Sequence, residues 1–202
     1  MCQTTAPFPA FDHHDHHATG HGCACNHSGA AFYPGRQVPA SHDLEYPEVH
    51  FPPAEFLSAV GEAGLRQLVL THHTLLRQSE IGHLFAKDDR IFAERVAKIA
   101  DFIIEACGGS AAYSAAEGNN VCMRTRHFPF EITEHAREIW LSKLLQALGE
   151  SSFPAEWQQA YWTWMEAFSV RMINRRTTKA QAARFSCAEA RGSAGLTASI
   201  TP

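Results

Sequence analysis

His127 stands in the run Arg124-Thr125-Arg126-His127-Phe128-Pro129-Phe130, between two arginines and two phenylalanines. A neutral imidazole nitrogen ligates metals, phenylalanines make an apolar wall, and guanidinium groups attract anions. Together they suit a flat, mostly apolar, dianionic cofactor with a metal at its centre, and haem is such a cofactor. The competing account is a histidine merely packed among aromatics. The elements that surround His127 must separate the two.

A second stretch has the side chains for different chemistry. Asp12-His13-His14-Asp15-His16-His17 is followed by His21, Cys23, Cys25 and His27, so that eight His and Cys side chains fall within fifteen positions. Imidazole and thiolate suit Zn, Ni or Cu. Cys23-Ala24-Cys25 is not the Cys-x-x-Cys spacing of a structural zinc site. Two readings stay open here: a flexible chelator, or a low-complexity tail whose metal affinity is incidental. The histidines are interrupted and follow ordinary sequence, which is unlike an expression tag.

The whole chain sets bounds on both. Its 202 residues suffice for one domain with a real core. A formal charge of −4 gives no reason to expect nucleic acid or an anionic membrane as partner. No apolar run is long enough to cross a bilayer. Met1-Cys2-Gln3-Thr4 has no basic start and no apolar segment after it, so no secretory signal is expected. Six scattered cysteines (Cys2, Cys23, Cys25, Cys107, Cys122, Cys187) do not form a disulfide framework. A reducing cytoplasm is the expected setting.

Residues 1–50 lack hydrophobic periodicity and read as a disordered His/Cys-rich extension, ended by Pro47, Pro52 and Pro53. Residues 51–176 read as an all-α domain. From Glu55 to about Gln78, Leu65, Leu68, Val69, His72, Leu75 and Leu76 recur at helical spacing, with His73 just off that stripe. His72 in an apolar face needs a partner or a function, because burying its nitrogens unpaired is costly; a bond to a backbone carbonyl is the plainer option. Asp88 or Asp89 can cap a helix from about Arg90 to Ala106, whose stripe is Phe92, Val96, Ile99, Phe102, Ile103 and Ala106. Gly108-Gly109 ends it, and 110–120 reads as a loop. Pro129 keeps any helix around His127 short. Thr133 caps a helix from Glu134 to Leu148 that buries Ala136, Ile139, Trp140, Leu144 and Ala147. Ser152 and Pro154 start a last long helix with Trp157, Tyr161, Trp164, Phe168 and Met172 on one side, and with Arg171, Arg175 and Arg176 gathered where its dipole favours them. No period-two run suggests a strand. Residues 177–202 read as a flexible polar tail.

At this point the sequence resembles a truncated haemoglobin, the bacterial two-over-two globin, most nearly group II. Leu57 to Leu65 resembles the family's entry into its first haem-facing helix pair. Gly108-Gly109 followed by Tyr113-Ser114, and Met123 to Phe130 with its histidine, resemble the stretch leading to and forming the proximal motif. Trp140 lies thirteen residues beyond His127, the spacing of the family's distal-pocket tryptophan. The resemblance implies haem b, with His127 as axial iron ligand. It implies Phe85 packed on the porphyrin, Arg95, Ile99, Phe102 and Ile103 facing the distal side, Phe130 in the pocket, and Arg124 and Arg126 at the propionates. His72, thirteen residues before Phe85, occupies the place where the family commonly has a tyrosine that hydrogen-bonds bound O₂. That histidine is the main departure. Cys107 before Gly108 is another, and the family lacks the His-rich extension.

The resemblance further implies a globin that reversibly binds O₂ or another diatomic gas (CO, NO). His72, Trp140 and Arg95 are the polar groups expected near it, and more than one donor would slow release, which suits storage, sensing or chemistry better than bulk transport. His72 could also bind the iron itself. NO dioxygenation, which needs an outside reductase, and a weak peroxidase activity assisted by Arg95 are the enzymatic options. Two readings compete from other classes. One is a metal-handling helical protein that uses its His/Cys-rich tail. The other is a helical interaction module, which requires Trp157, Trp164 and Phe168 to be exposed.

Overall fold

The computed structural model describes residues 44–117 and 126–192. Six helices are described in this order: α1 (Glu55–Arg77), α2 (Asp89–Ala106), α3 (Ala112–Glu117), α4 (Glu134–Glu150), α5 (Ala155–Ser169) and α6 (Cys187–Gly192). Short 3-10 turns lie at Glu80–Leu84 and Val170–Met172. Among the described residues there is no strand, and no helix is long and apolar enough to cross a membrane.

Local sequence accounts for most of the boundaries. Gly61 interrupts α1 with φ 74°, so the helix has a short first arm and a long second one. A side chain at that φ would be strained. The side chain of Asp88 caps α2 by accepting from the Ile91 N–H at 2.9 Å, and that of Thr133 caps α4 by accepting from the Ala136 N–H at 3.0 Å. Gly108, with φ 86°, lets the chain leave α2 while its N–H still donates to the Glu105 carbonyl.

The long second arm of α1 packs on α2 and on α4, and α4 packs on α5, so that two helix pairs lie one over the other. The core they enclose joins Phe56, Leu65 and Leu68 to Val96 and Ile104, to Leu141 and Leu144, and to Tyr161, Trp162 and Trp164. Phe56 stacks on Tyr161 at 6.1 Å and meets Trp157 edge-on at 5.7 Å. Trp164 is fully buried and Phe168 nearly so, while Trp157 packs half-buried against the same core. α5 therefore offers no aromatic docking face, and the interaction-module reading falls.

Four segments depart from the sequence expectation. Residues 112–117, expected as loop, form α3, because Tyr113 buries against Phe102 at 5.4 Å and the Ser114 N–H donates to the buried Glu105 carboxylate at 2.9 Å. A tertiary anchor thus makes helix out of an alanine-rich stretch with no amphipathic stripe. Arg175 and Arg176 lie beyond the end of α5 rather than in its last turn. Arg176 is buried and its Nε donates to Glu134 in the first turn of α4.

Residues 177–192, expected as a flexible tail, lie along α4 and α5. Trp162 Nε1 donates to the Phe185 carbonyl at 2.8 Å, and Cys187 and Ala190 are buried. The start of the domain also lies earlier than expected. Leu44 is buried, the Glu45 N–H donates to Gln181 at 2.8 Å, and Arg171 donates to the Pro47 carbonyl at 2.8 Å. The chelating candidates His13, His14, His16, His17, His21, Cys23, Cys25 and His27 lie outside the described residues, as does Arg124.

Candidate functional site

The longest arm of α1, the corner after it, α2, the segment 127–132, and the facing sides of α4 and α5 enclose a mostly apolar cavity of about 240 Å³. Val69, Phe92, Val96, Ile99, Phe102, Ile103, Met165 and Phe168 form its apolar walls. Nine residues singled out from sequence line it together: His72, Phe85, Arg95, Ile99, Phe102, Ile103, His127, Phe130 and Trp140. They come from five separate stretches of chain, which is why sequence spacing alone could not show that they meet. Arg126 is not among them. Its guanidinium lies over the Tyr113 ring at 5.7 Å instead. Arg95 lines the cavity yet is itself exposed, which places it at the mouth. Among the described residues it has no carboxylate partner.

His127 is half-buried and is held through its backbone. Its carbonyl accepts from the Phe130 N–H at 3.0 Å and from Asn174 Nδ2 at 2.9 Å. Asn174, buried just beyond the last turn of the α5 segment, also pairs with Ile132 in both directions. It accepts from the Ile132 N–H at 3.0 Å and donates its own N–H to the Ile132 carbonyl at 3.0 Å. A buried amide that uses donor and acceptor at once fixes the position of the chain around it. Sequence reasoning missed Asn174, since nothing in its local pattern distinguishes it from a polar residue past a helix end.

The opposite wall carries two adjacent histidines. His72 Nε2 lies 3.0 Å from the Trp140 carbonyl, and His73 Nδ1 lies 2.8 Å from the Val69 carbonyl. A carbonyl only accepts, so the proton of His72 is on Nε2 and that of His73 is on Nδ1. Burial holds both rings neutral. It pushes His73 down to about 4, with the nearby His127 adding to the fall and the bond to Val69 opposing it. His72 is held well below 6.5 by burial and then by the neighbouring His73, against the bond to Trp140. A neutral His72 that gives its single proton to a carbonyl has none for a ligand. Its place in the structure is a strut from α1 to the backbone of α4, with its ring edge-on to the Trp140 indole at 4.6 Å. The expectation that His72 donates to a bound gas therefore meets a donor already in use.

His73, off the sequence stripe, is as buried as His72 and lines the same cavity. The signal was present: His73 lies one turn after Val69, and a helix face packed between two neighbours is wider than a single stripe. Arg137 was also missed. It lines the cavity but its donors are taken by Ser169 Oγ (2.9 Å), the Ala183 carbonyl (2.6 Å) and the carbonyl and carboxylate of Glu166 (3.0 and 2.6 Å). It is a structural cation.

Among the described residues no three His, Cys, Asp or Glu side chains converge as a metal site. The cavity presents three imidazoles in apolar walls, two of them bonded to backbone carbonyls, with no carboxylate or thiolate in its lining and one cation at its mouth. That donor set cannot fill the coordination shell of a bare metal ion, but it fits a metal that arrives with its own ring of ligands and with carboxylates to turn outward.

Comparison with known proteins agrees. The model of the Bacterial-like globin family matches residues 56–174. Group 2 truncated hemoglobin YjbI of Bacillus subtilis (strain 168) is 29% identical over 122 residues, covering 57% of this chain and 86% of that protein. The crystal structure of phosphate-bound Hell's gate globin IV is 42% identical, with a TM-score of 0.71, covering 74% of this chain and 92% of that one. A truncated oxygen-avid haemoglobin from Bacillus subtilis is 27% identical, with a TM-score of 0.54, over 58% of this chain and 98% of its own. The paired helices seen here are the two-over-two arrangement of these truncated globins. With the family model spanning more than half of the chain and a cavity enclosed by both helix pairs, the chain belongs to the bacterial-like globins, a haem-binding family whose ligands are diatomic gases, and is similar to the group II truncated haemoglobins.

Proposed function

We propose that the cavity holds haem b with His127 as its axial iron ligand, and that the protein reversibly binds O₂, CO or NO for storage, sensing or slow chemistry rather than bulk transport. The observation that carries this reading is the meeting, in one apolar cavity, of His127, the aromatic pair Phe85 and Phe130, and Trp140. The sequence has no Cys-x-x-Cys-His attachment motif, so a non-covalent haem fits it. The haem, when bound, supplies the iron at which a gas ligates.

The chain supplies the rest. Asn174 holds the His127 backbone in place. Phe85 and the α2 face exclude water. Arg95 at the mouth is the cation suited to the propionates, in place of Arg126, which lies over Tyr113. Nothing among the described residues accepts from the Trp140 indole N–H, which makes it the donor left for a polarised gas ligand. Such a bond contributes about 1 kcal/mol. One donor where several were expected points to moderate retention of O₂.

The reading is tested by the absorption spectrum of the purified protein, with and without CO. A Soret band that shifts with CO, and that His127→Ala greatly weakens, is the expected result. A colourless protein that takes up supplied haem only loosely would sink it. The His/Cys-rich stretch is read separately as a Zn, Ni or Cu chelator. A calorimetric titration with Zn²⁺ that shows no binding lost on deleting residues 1–43 would remove that role.

A further inference from the structure

The His73 ring leaves one nitrogen unaccounted for. Its Nδ1 proton is committed to the Val69 carbonyl at 2.8 Å, so Nε2 carries a lone pair. Nothing among the described residues donates to that nitrogen, although the residue is 6% exposed and lines the cavity. Nε2 is not among the fully buried unpartnered atoms, so it keeps accessible surface where the residue lines the cavity, and its lone pair is open to a Lewis acid or a donor there.

Three features say what would meet it. His73 and His127 both line the one cavity, from α1 and from the segment 127–132. His73 is carried on the long, unbroken second arm of α1 and packed edge-on to Phe85 at 6.1 Å, so its ring is held rather than loose. His72 cannot take the role without breaking its bond to the Trp140 carbonyl. The adjacent histidines thus divide the work: one braces α4 and the other offers a bare nitrogen to the cavity.

We infer that His73 is an internal ligand for the iron, its Nε2 occupying the sixth position opposite His127 in the gas-free protein, so that a diatomic ligand binds by displacing it. The inference rests on the haem reading above. The exchange breaks an iron–nitrogen bond and forms an iron–gas bond, with no proton or electron transferred. Because the proton stays on Nδ1, donated to the Val69 carbonyl, the displaced ring remains neutral and can return when the gas leaves. The device would lower apparent gas affinity and shield the iron when no gas is present, because the binding-competent form is only a fraction of the total.

The test is the electronic spectrum of the haem-loaded, CO-free ferrous protein, full chain, beside its His73→Leu and His72→Leu variants. The expected result is a six-coordinate low-spin spectrum for the parent and for His72→Leu, and a five-coordinate high-spin spectrum for His73→Leu. CO association after flash photolysis should become at least tenfold faster in His73→Leu. A high-spin parent overturns the inference while leaving the haem reading intact, and so does loss of the low-spin form in His72→Leu but not in His73→Leu. A protein that retains no haem overturns both. The parent spectrum decides even where a variant fails to fold.

Discussion

Trp140 and His72 are joined through a backbone carbonyl and an edge-to-face ring contact, so each controls where the other sits. Substituting them should have different consequences. Trp140→Phe removes the N–H left for a gas ligand and keeps an aromatic ring in the wall. Its O₂ dissociation rate, by stopped flow against CO, should rise about fivefold, the kinetic equivalent of one hydrogen bond of ~1 kcal/mol. His72→Leu removes a strut and no ligand-directed donor. Its denaturant midpoint should fall by an amount corresponding to about 1 kcal/mol, with a smaller change in O₂ release. If His72→Leu instead released O₂ faster than Trp140→Phe, the assignment of the His72 proton to the carbonyl would be wrong. The spacing of Trp140 from His127 was legible in the sequence, because it is fixed by one capped helix and one short segment. Which histidine nitrogen carries the proton was not, because that depends on a carbonyl 68 residues away in the chain.

At the level of elements, Arg126 and His127 are helical, and the chain that leaves them is clamped by Asn174 from the far end of the α5 region. Asn174→Leu removes the donor to the His127 carbonyl and the acceptor for the Ile132 N–H. Haem transfer to apomyoglobin should become several-fold faster in this variant while far-ultraviolet circular dichroism stays unchanged. An unchanged transfer rate would show that the segment is held by other contacts. The long helices were readable because apolar residues at a period of 3.6 mark a buried face wherever the partner lies. Their caps were readable too, since Asp88 and Thr133 bond only three residues onward. α3 was not, because the residues that make it helical, Phe102 and Glu105, belong to another helix.

The whole molecule is larger than its globin core. Residues 175–192 lie beyond the family match and are fastened to it by charge. Glu166, 3% exposed, receives Arg137 at 2.6 Å and Arg184 at 2.7 Å, and so links the cavity wall to the C-terminal strap. Glu166→Gln should cost roughly 3 kcal/mol, as breaking one side of a buried pair leaves Arg137 uncompensated; thermal unfolding measures it. The same link sets an acid limit. Burial alone would raise the Glu166 carboxyl, but the hydrogen bonds from Arg184 and the charges of Arg137 and Arg184 outweigh it and hold it below its usual 4.5. The unfolded chain therefore binds the proton more readily than the folded one. The stability from this site is full above pH ~4.5 and is lost as pH falls through the lower folded value. Urea midpoints should drop below that pH in the parent, and less steeply in Glu166→Gln.

By itself, the sequence determined the all-α class, the stripes and caps of the long helices, and the spacing of Trp140 from His127, because each depends on residues close together in the chain. Tertiary structure decided the different carbonyl partners of His72 and His73, the clamp on His127 by Asn174, the placement of Arg126 over Tyr113, and the docking of residues 177–192. Each of these depends on a proton, a carbonyl or a charge delivered from a distant element, and pattern along a chain carries no record of which distant group will arrive.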